Sequence, residues 1–480
     1  MSFRRDRFFL FCGLPAFTCE DENVVFFSPY NATLGILANS SLVSRDSQKD
    51  ECRRLGCFGQ PSTEGPSLPE NFDLTLIVTN DCNLRCKYCF ARGGENRDYM
   101  TVDTAQVIVD NVFHKTERDN IKVSFFGGEP TLNMQLIKAV VQHVSQLAPA
   151  LGKGYSFYIT TNGVVSERTL SYLIEHEFTF VVSSDGPPRI QDFLRPGINA
   201  VPSSARVART ITTLKRHRIP FKVRATVTAY NVAAMSETVQ YLADLGVDTV
   251  HFEPITHAGR AGCGALHLQR AGVNEYLRAF SAALDEAKRL GVAVISSSYM
   301  NFLAPSQKFC DAMAGSRLVG SYAGDITLCV EVQDNRHPYS PNAVIGKIDP
   351  STKRIDFNHG KYRDTLNSES AEPSDDCNSC FARFSCGGGC PVKHFYASGC
   401  AGVDAYRCAL TQGIMRDVLQ RIYKATIARR TQLYQSPHLT LYRMEVPGEL
   451  WMKRKTARIT QVLAEMLIDD HELPAEDVKM

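Results

Sequence analysis

The sequence lacks any apolar run approaching the ~18 residues that cross a bilayer as a helix, so no helical membrane span is expected. It also lacks an excess of either charge. Lys and Arg number 53 against 51 Asp and Glu, a net +2, so neither nucleic acid nor an anionic membrane is an expected partner. Low-complexity tracts are missing, as are internal repeats other than alternating strand and helix. The run Met1–Phe17 places basic residues before a short apolar stretch, but Cys12, Gly13 and Pro15 interrupt it and no A-x-A site follows. It reads as a strand rather than a cleaved signal, and the expected location is cytoplasmic. What remains is ordinary globular composition (hydrophobic 44 %, charged 22 %) over 480 residues, too long for one core and expected to form two or three domains.

Cysteine is what the chain has in quantity, 16 in all. Dense disulfides belong to small secreted domains without a core, so in this long chain the cysteines read as metal ligands. Cys82, Cys86 and Cys89 stand in TNDCNLRCKYCFARGG, a C-x3-C-x2-C run. Three thiolates this close can bind three irons of a cubane cluster and leave the fourth iron open to a small molecule. Zinc is the rival, yet a zinc site usually offers paired C-x2-C motifs or histidines, and the nearest histidine here is His114. Cys12, Cys19, Cys52 and Cys57 read as small buried hydrophobes.

The run follows a β-rich strand, Asp73–Thr79, and precedes a helix over 101–118 with Thr101 or Asp103 as cap. Strands over 122–126, 155–161, 178–183, 221–228 and 249–253 then alternate with helices over 132–147, 166–176, 203–216, 232–245 and 273–290. Such alternation means parallel strands with right-handed crossovers. The expected fold is α/β, a partial (β/α)6 barrel of the TIM-like kind that need not close, with chemistry at the C-terminal strand ends. Those ends carry Gly127-Gly128-Glu129-Pro130, Thr161-Asn162-Gly163, Ser183-Ser184-Asp185-Gly186, Arg224 and Glu253-Pro254-Ile255. Singly, each has a plain account: GGEP and SDGP are turn chemistry, and Arg224 could be half of an ion pair. Their convergence on the face that holds the cysteine loop favours a ligand site.

On these motifs, from about Phe72 to Ile295, the chain resembles the radical S-adenosylmethionine (SAM) enzymes. The resemblance implies that the open iron is chelated by the amino and carboxylate groups of SAM. Gly127 and Gly128 would let a ligand approach the backbone closely; the resemblance further implies that Glu129 takes the amino group, that Ser183 contacts ribose or carboxylate and Arg224 the carboxylate, and that Tyr88 and the Ile255 region lie near adenine. Asn162 and Asp185 belong to the same cofactor-binding set. The implied chemistry is reductive cleavage of SAM to a 5′-deoxyadenosyl radical that removes hydrogen from an unactivated C–H, the protein binding, orienting and shielding. An electron donor such as a ferredoxin or flavodoxin is implied as a partner.

The second half holds Cys310 and Cys329, then Cys377-x2-Cys380-x5-Cys386-x3-Cys390, then Cys408. The four-cysteine run alone could be a zinc knuckle. The whole arrangement resembles the SPASM extension of peptide-modifying members, which carries two auxiliary [4Fe–4S] clusters. Carried over, Cys377, Cys380, Cys386 and Cys408 hold the second cluster, and Cys310, Cys329 and Cys390 the first. Some members have a further cysteine shortly before the one matching Cys310; residues 300–309 have none. Hence the first cluster either has an open iron or borrows Cys263 or Cys400.

The expected divisions are a β-rich segment over 1–70 with possible peptide docking, the partial barrel over 71–298, the SPASM region over 299–425 and a helical tail over 426–480, with an amphipathic stretch from Ile459 to Ile468. The favoured activity is crosslinking, by thioether or carbon–carbon bond, of a peptide or protein substrate during maturation. A sulfatase-maturing enzyme is the alternative, lowered because its acid directly follows the cysteine, whereas here the order is Cys329-Val330-Glu331; Glu331 remains a weak candidate base. A scaffold with structural zinc is the alternative of another class.

Overall fold

The computed structural model describes residues 8–11, 14–18, 23–28, 33–37, 45–58, 73–263, 268–302, 306–349, 351–368, 375–398, 404–436 and 439–450. The chain begins with four antiparallel strands, β1 (Phe8–Phe11), β2 (Leu14–Thr18), β3 (Val24–Ser28) and β4 (Thr33–Leu37), then helix α1 (Arg45–Arg54). The α/β unit follows: β5 (Asp73–Thr79), α2 (Val102–Lys115), β6 (Asn120–Gly127), α3 (Met134–Ala150), β7 (Gly154–Thr161), α4 (Glu167–Glu175), β8 (Thr179–Ser183), α5 (Pro188–Leu194), α6 (Ser204–Arg216), β9 (Phe221–Val227), α7 (Met235–Asp244), β10 (Thr249–Pro254), α8 (Val273–Leu290) and β11 (Ala293–Ile295). Strands β5 to β11 lie in sequence order and run parallel.

The local causes are visible in the pattern. Along β5, Leu74 to Thr79 are all buried, as a strand covered on both faces requires. Helix α2 buries Ala105, Ile108, Val109, Val112 and Phe113 on one stripe, the 3.6-residue period of an amphipathic helix. Its cap is Thr101, whose hydroxyl accepts from the Thr104 amide at 3.2 Å. Phe157 packs on Phe178 at 5.3 Å between ring centroids, and Phe125 on Phe178 at 5.8 Å, tying β6 and β7 to the start of the next unit.

The sheet extends further than six units and does not close. β11 adds a parallel strand beyond β10, and on the far side of β5 lie β12 (Arg317–Ser321), parallel to β5, then antiparallel β13 (Asp325–Thr327), β14 (Val344–Asp349) and β15 (Arg354–Phe357). This makes one sheet of 11 strands. The cysteine-rich region is thus hydrogen-bonded to the first strand of the α/β unit and grows from it.

The expected helical tail is corrected. A long helix, Ala405–Arg429, ends at Arg430 in the left-handed conformation. Two strands follow, β16 (Gln432–Gln435) and β17 (Leu439–Arg443), where helix was expected. β17 pairs with β4, giving the order β1-β2-β3-β4-β17-β16. The reason is the period. Leu439 and Leu441 are buried while Thr440 and Tyr442 are partly exposed, an alternation of two that suits a half-buried strand. One face of this sheet packs with Cys52 and Cys57, both fully buried. The other meets the main core, Phe17 lying 5.4 Å from Tyr423 of the long helix and Phe8 5.2 Å from Phe381. Cys12, Cys19, Cys400, the side chain of Cys263, the linker over 59–66 and the stretch from Ile459 to Ile468 lie outside the described residues. Among the described residues no helix is long and apolar enough to cross a membrane.

Candidate active site

The loop after β5 carries Cys82, Cys86 and Cys89, none of them in a disulfide. Cys82 and Cys86 are buried and Cys89 half-buried. Burial pushes the Cys82 and Cys86 thiols up, Cys86 to about 11; Cys86 and Cys89 add to the rise at Cys82, and Cys89 to that at Cys86. A metal reverses this preference, because the thiolate is the ligand and binding releases the proton. Amides already face the sulfurs: Leu84 N donates to Cys82 Sγ at 3.4 Å, and Gly93 N to Cys89 Sγ at 3.3 Å. Asn162, from the end of β7, donates its side-chain amide to Cys82 Sγ at 3.6 Å and to Asn83 Oδ1 at 2.7 Å. Three thiols on one loop, two buried and one half-buried, two of them facing backbone donors, fit an iron–sulfur cluster with one iron left to an outside ligand.

Two arginines hold the loop's shape. Arg85 donates to the carbonyls of Cys82, Leu84 and Gly94. Arg260, from the segment after β10, donates to the carbonyls of Cys86, at 2.8 Å, and Gly93, and to Glu95 at 3.0 Å, while its backbone amide reaches Cys89 O. Gly259 precedes it at φ +56°, and a Cβ there would stand 2.4 Å from Cys89 O and 2.3 Å from Phe90 O. Gly259→Ala is therefore expected to displace the cysteine loop. Besides a backbone strain of about 1–3 kcal/mol, anaerobically prepared variant should lose ~4 irons with its circular dichroism retained. Full iron content in this variant would show the loop tolerates the shift.

Glu129 lies fully buried beside the loop. Its Oε1 accepts from Thr131 N, Thr131 Oγ1 and Thr161 Oγ1, and its Oε2 from Asn162 N at 2.7 Å. Burial nonetheless pushes its carboxyl above the usual range. The glycines before it answer to the chain rather than to open space for a ligand. A Cβ on Gly127 would meet Thr79 O at 2.2 Å, and one on Gly128 would meet Asp81 O at 2.2 Å.

Tyr88 and Ile255 come together in one apolar cluster with Ile190, Leu194, Ala261 and Leu268. The Tyr88 hydroxyl donates to Asp185. Asp185 is fully buried, pairs with Arg195 at 3.0 Å and accepts from Thr226 N at 3.0 Å. Ser183 and Arg224 are register partners on β8 and β9. Sequence reading missed Arg195, Gly259 and Arg260; none stands in a recognisable motif, and each acts on a loop distant in sequence.

The later cysteines form two groups. Cys329 and Cys390 are raised first by burial, then by charge on Glu331, Cys310 and, for Cys329, on Cys390, which places Cys310, Cys329 and Cys390 together. Cys386 is pushed up to about 12 by burial and by Cys380, Cys408 and Cys377. That second group lines a cavity of about 250 Å³. The Gly387–Gly389 turn separates Cys386 of one group from Cys390 of the other. Among the described residues, no three His, Cys, Asp or Glu side chains converge on a single ion position.

Between the groups and β10 sits an ion network the sequence did not disclose. Glu253, 4 % exposed, meets Lys393 Nζ at 2.7 Å, Arg407 Nη1 at 2.9 Å and His251 Nε2 at 3.4 Å. Lys393 stands three residues after Cys390 and Arg407 directly before Cys408, the one sequence signal that was available. Arg407 also donates to Pro254 O and Thr256 Oγ1. Glu331 lies nearby, its Oε1 4.0 Å from Lys393 Nζ.

Comparison with known proteins agrees with this geometry. The Radical SAM superfamily model matches residues 76–242. An uncharacterised protein of Methanocaldococcus jannaschii is 30 % identical over 257 residues, 53 % of this chain and 84 % of that protein. The serine-type anaerobic sulfatase-maturating enzyme of Klebsiella aerogenes is 23 % identical over 71 % of this chain and 84 % of its own length. The radical SAM cyclopropyl synthase TigE of Paramaledivibacter caminithermalis is 28 % identical over 27 % of this chain and 30 % of its own length. Among solved structures, native anSMEcpe with bound AdoMet and Cp18Cys peptide superposes with a TM-score of 0.61 at 18 % identity, over 75 % of this chain and 99 % of that one.

Proposed function

The chain belongs to the radical SAM superfamily and is an enzyme, and from that premise we propose that it abstracts hydrogen from a peptide or protein substrate and directs the product toward a thioether or carbon–carbon crosslink. The observation that carries the reading is the trio of free thiols, Cys82, Cys86 and Cys89, gathered where β5 ends at the mouth of a parallel sheet. A [4Fe–4S] cluster on this trio would supply SAM with the electron that cleaves it to methionine and a 5′-deoxyadenosyl radical.

The chain's own residues bind, orient and exclude water. Asn162 holds Cys82 and, through its backbone, Glu129. Glu129 is placed to receive an ammonium; among the described residues its Oε2 accepts only the Asn162 amide. The Tyr88–Ile255 cluster offers an apolar wall for adenine, kept rigid by Asp185 and Arg195. Ser183 and Arg224, side by side, are placed for ribose and carboxylate. In the cysteine-rich region, two auxiliary clusters are proposed on Cys310, Cys329 and Cys390 and on Cys377, Cys380, Cys386 and Cys408. The mutual proximity of the thiols within each set supports this. A ferredoxin or flavodoxin is the proposed donor.

Sulfatase maturation is the second reading, and the length of the Klebsiella aerogenes match favours it. The scaffold alternative gives way to the enzyme. The test is anaerobic incubation of reconstituted protein with SAM, dithionite and any short peptide encoded beside the gene. 5′-Deoxyadenosine together with a peptide lighter by two hydrogens, carrying no aldehyde that a hydrazide traps, is expected. A trapped aldehyde on a sulfatase peptide would transfer the assignment to the second reading, and no nucleoside product would reject both.

A further inference from the structure

The set Cys310, Cys329 and Cys390 offers three thiolates, whereas a cubane has four irons. Residues 300–309 add no cysteine. The turn that carries Cys329 also carries Glu331: Val332 N closes on Cys329 O at 3.0 Å, and Cys329 Sγ accepts from the Glu331 amide. Glu331 therefore stands on the turn of Cys329, and its charge bears on both Cys329 and Cys390.

Its two oxygens are in different situations. Oε1 stands 4.0 Å from Lys393 Nζ, beyond hydrogen-bond reach, because the lysine is drawn to Glu253 at 2.7 Å. Oε2 is buried and has no hydrogen-bond partner among the described residues. A buried acceptor left unmade costs about 1–3 kcal/mol, more when charged, so an orphan oxygen on the turn of Cys329, with Cys390 within reach of its charge, marks a place where something binds. The other groups facing Glu331 are His337, Tyr396 and Arg407. His337 Nε2 is already paired with the Tyr396 hydroxyl at 2.6 Å, and Arg407 with Glu253.

We propose that Glu331 supplies the fourth protein ligand of the metal group held by Cys310, Cys329 and Cys390, through its carboxylate oxygen. The inference rests on the auxiliary-cluster reading above and gives Glu331 a role different from that of a base. A carboxylate is a harder and weaker donor to iron than a thiolate, so this corner of the cluster is the one that loses iron first.

The experiment uses the full chain with Cys82, Cys86 and Cys89 replaced by alanine, so that only auxiliary iron remains, ~8 per chain. Iron content and EPR are read before and after mild oxidation, without SAM or peptide, for Glu331, E331A and E331C. With Glu331 the ~8 irons are expected to survive. E331A should fall to ~7 irons and show a three-iron EPR signal, and E331C should keep ~8 with a lower reduction potential from the added thiolate. E331C also tests the assignment should the alanine variant fold poorly. An E331A protein that keeps its iron through oxidation, or an E331C protein with an unmoved potential, overturns the proposal while leaving the auxiliary cluster intact. A C310A variant that retains all ~8 irons would instead reject the three-thiol site and this inference with it.

Discussion

Replacing Cys82, Cys86 and Cys89 together by alanine should lower the iron content of anaerobically prepared protein from ~12 to ~8 per chain and reduce 5′-deoxyadenosine formation to background. The argument is one of location. These thiols stand on the loop after β5, braced by Arg85 and by Arg260 from beyond β10, and the hard chemistry of the family belongs to the cofactor they would hold. The strand beneath them, Leu74 through Val78, is buried along its whole length, so circular dichroism should be largely retained. Persistent nucleoside formation in the triple variant would place electron delivery at another cysteine group.

The largest effect on stability is expected from Glu253. Removing it as Glu253→Ala leaves Lys393 and Arg407 buried without their shared partner, and breaking one side of a buried pair costs roughly 3–5 kcal/mol. The urea midpoint of anaerobic protein is the measurement, with a shift below about 1 kcal/mol counting against the network. Acidification provides a second reading of the same site. Burial alone would raise the Glu253 carboxyl; Lys393, His251, Arg407 and Arg224 outweigh it and hold it well below the ordinary carboxylate range. Its folded pKa is depressed, so its contribution is present above the unfolded value of ~4.3 and is lost as pH falls through the folded one. His251 acts at higher pH. Burial pushes its imidazole down to about 4, so between ~6.5 and about 4 the unfolded chain binds the extra proton, and stability falls with pH across that window. His251→Gln should flatten the decline between pH ~6 and ~4.5, whereas Glu253→Gln should remove the steeper loss below it.

The same network shows where sequence reading stopped. Glu253 was visible as an odd residue at a strand end, but its partners lie 140 and 154 positions away. Nothing in linear spacing joins them. Arg260 was equally silent, because it binds carbonyls of Cys86 and Gly93, and a backbone acceptor leaves no mark on sequence. The strand pair over 432–443 was taken for helix because its alternation is short and follows a long helix. The glycines of GGEP were legible as special, yet for another reason: they clear Thr79 and Asp81 rather than opening space for a ligand.

The sequence by itself determined the alternating α/β plan, the three-cysteine loop at the end of the first strand of that plan, and the cysteine-rich second half. Local periodicity and close ligand spacing are written in neighbouring residues. Only the tertiary structure decided that the sheet stays open and continues through β12 to β15, and that β16 and β17 join the sheet of β1 to β4. It also stood Glu331 on the turn of Cys329 with an oxygen unpaired among the described residues. Those outcomes depend on which distant segments pack together, and buried charge and unmet hydrogen bonds exist only once they have.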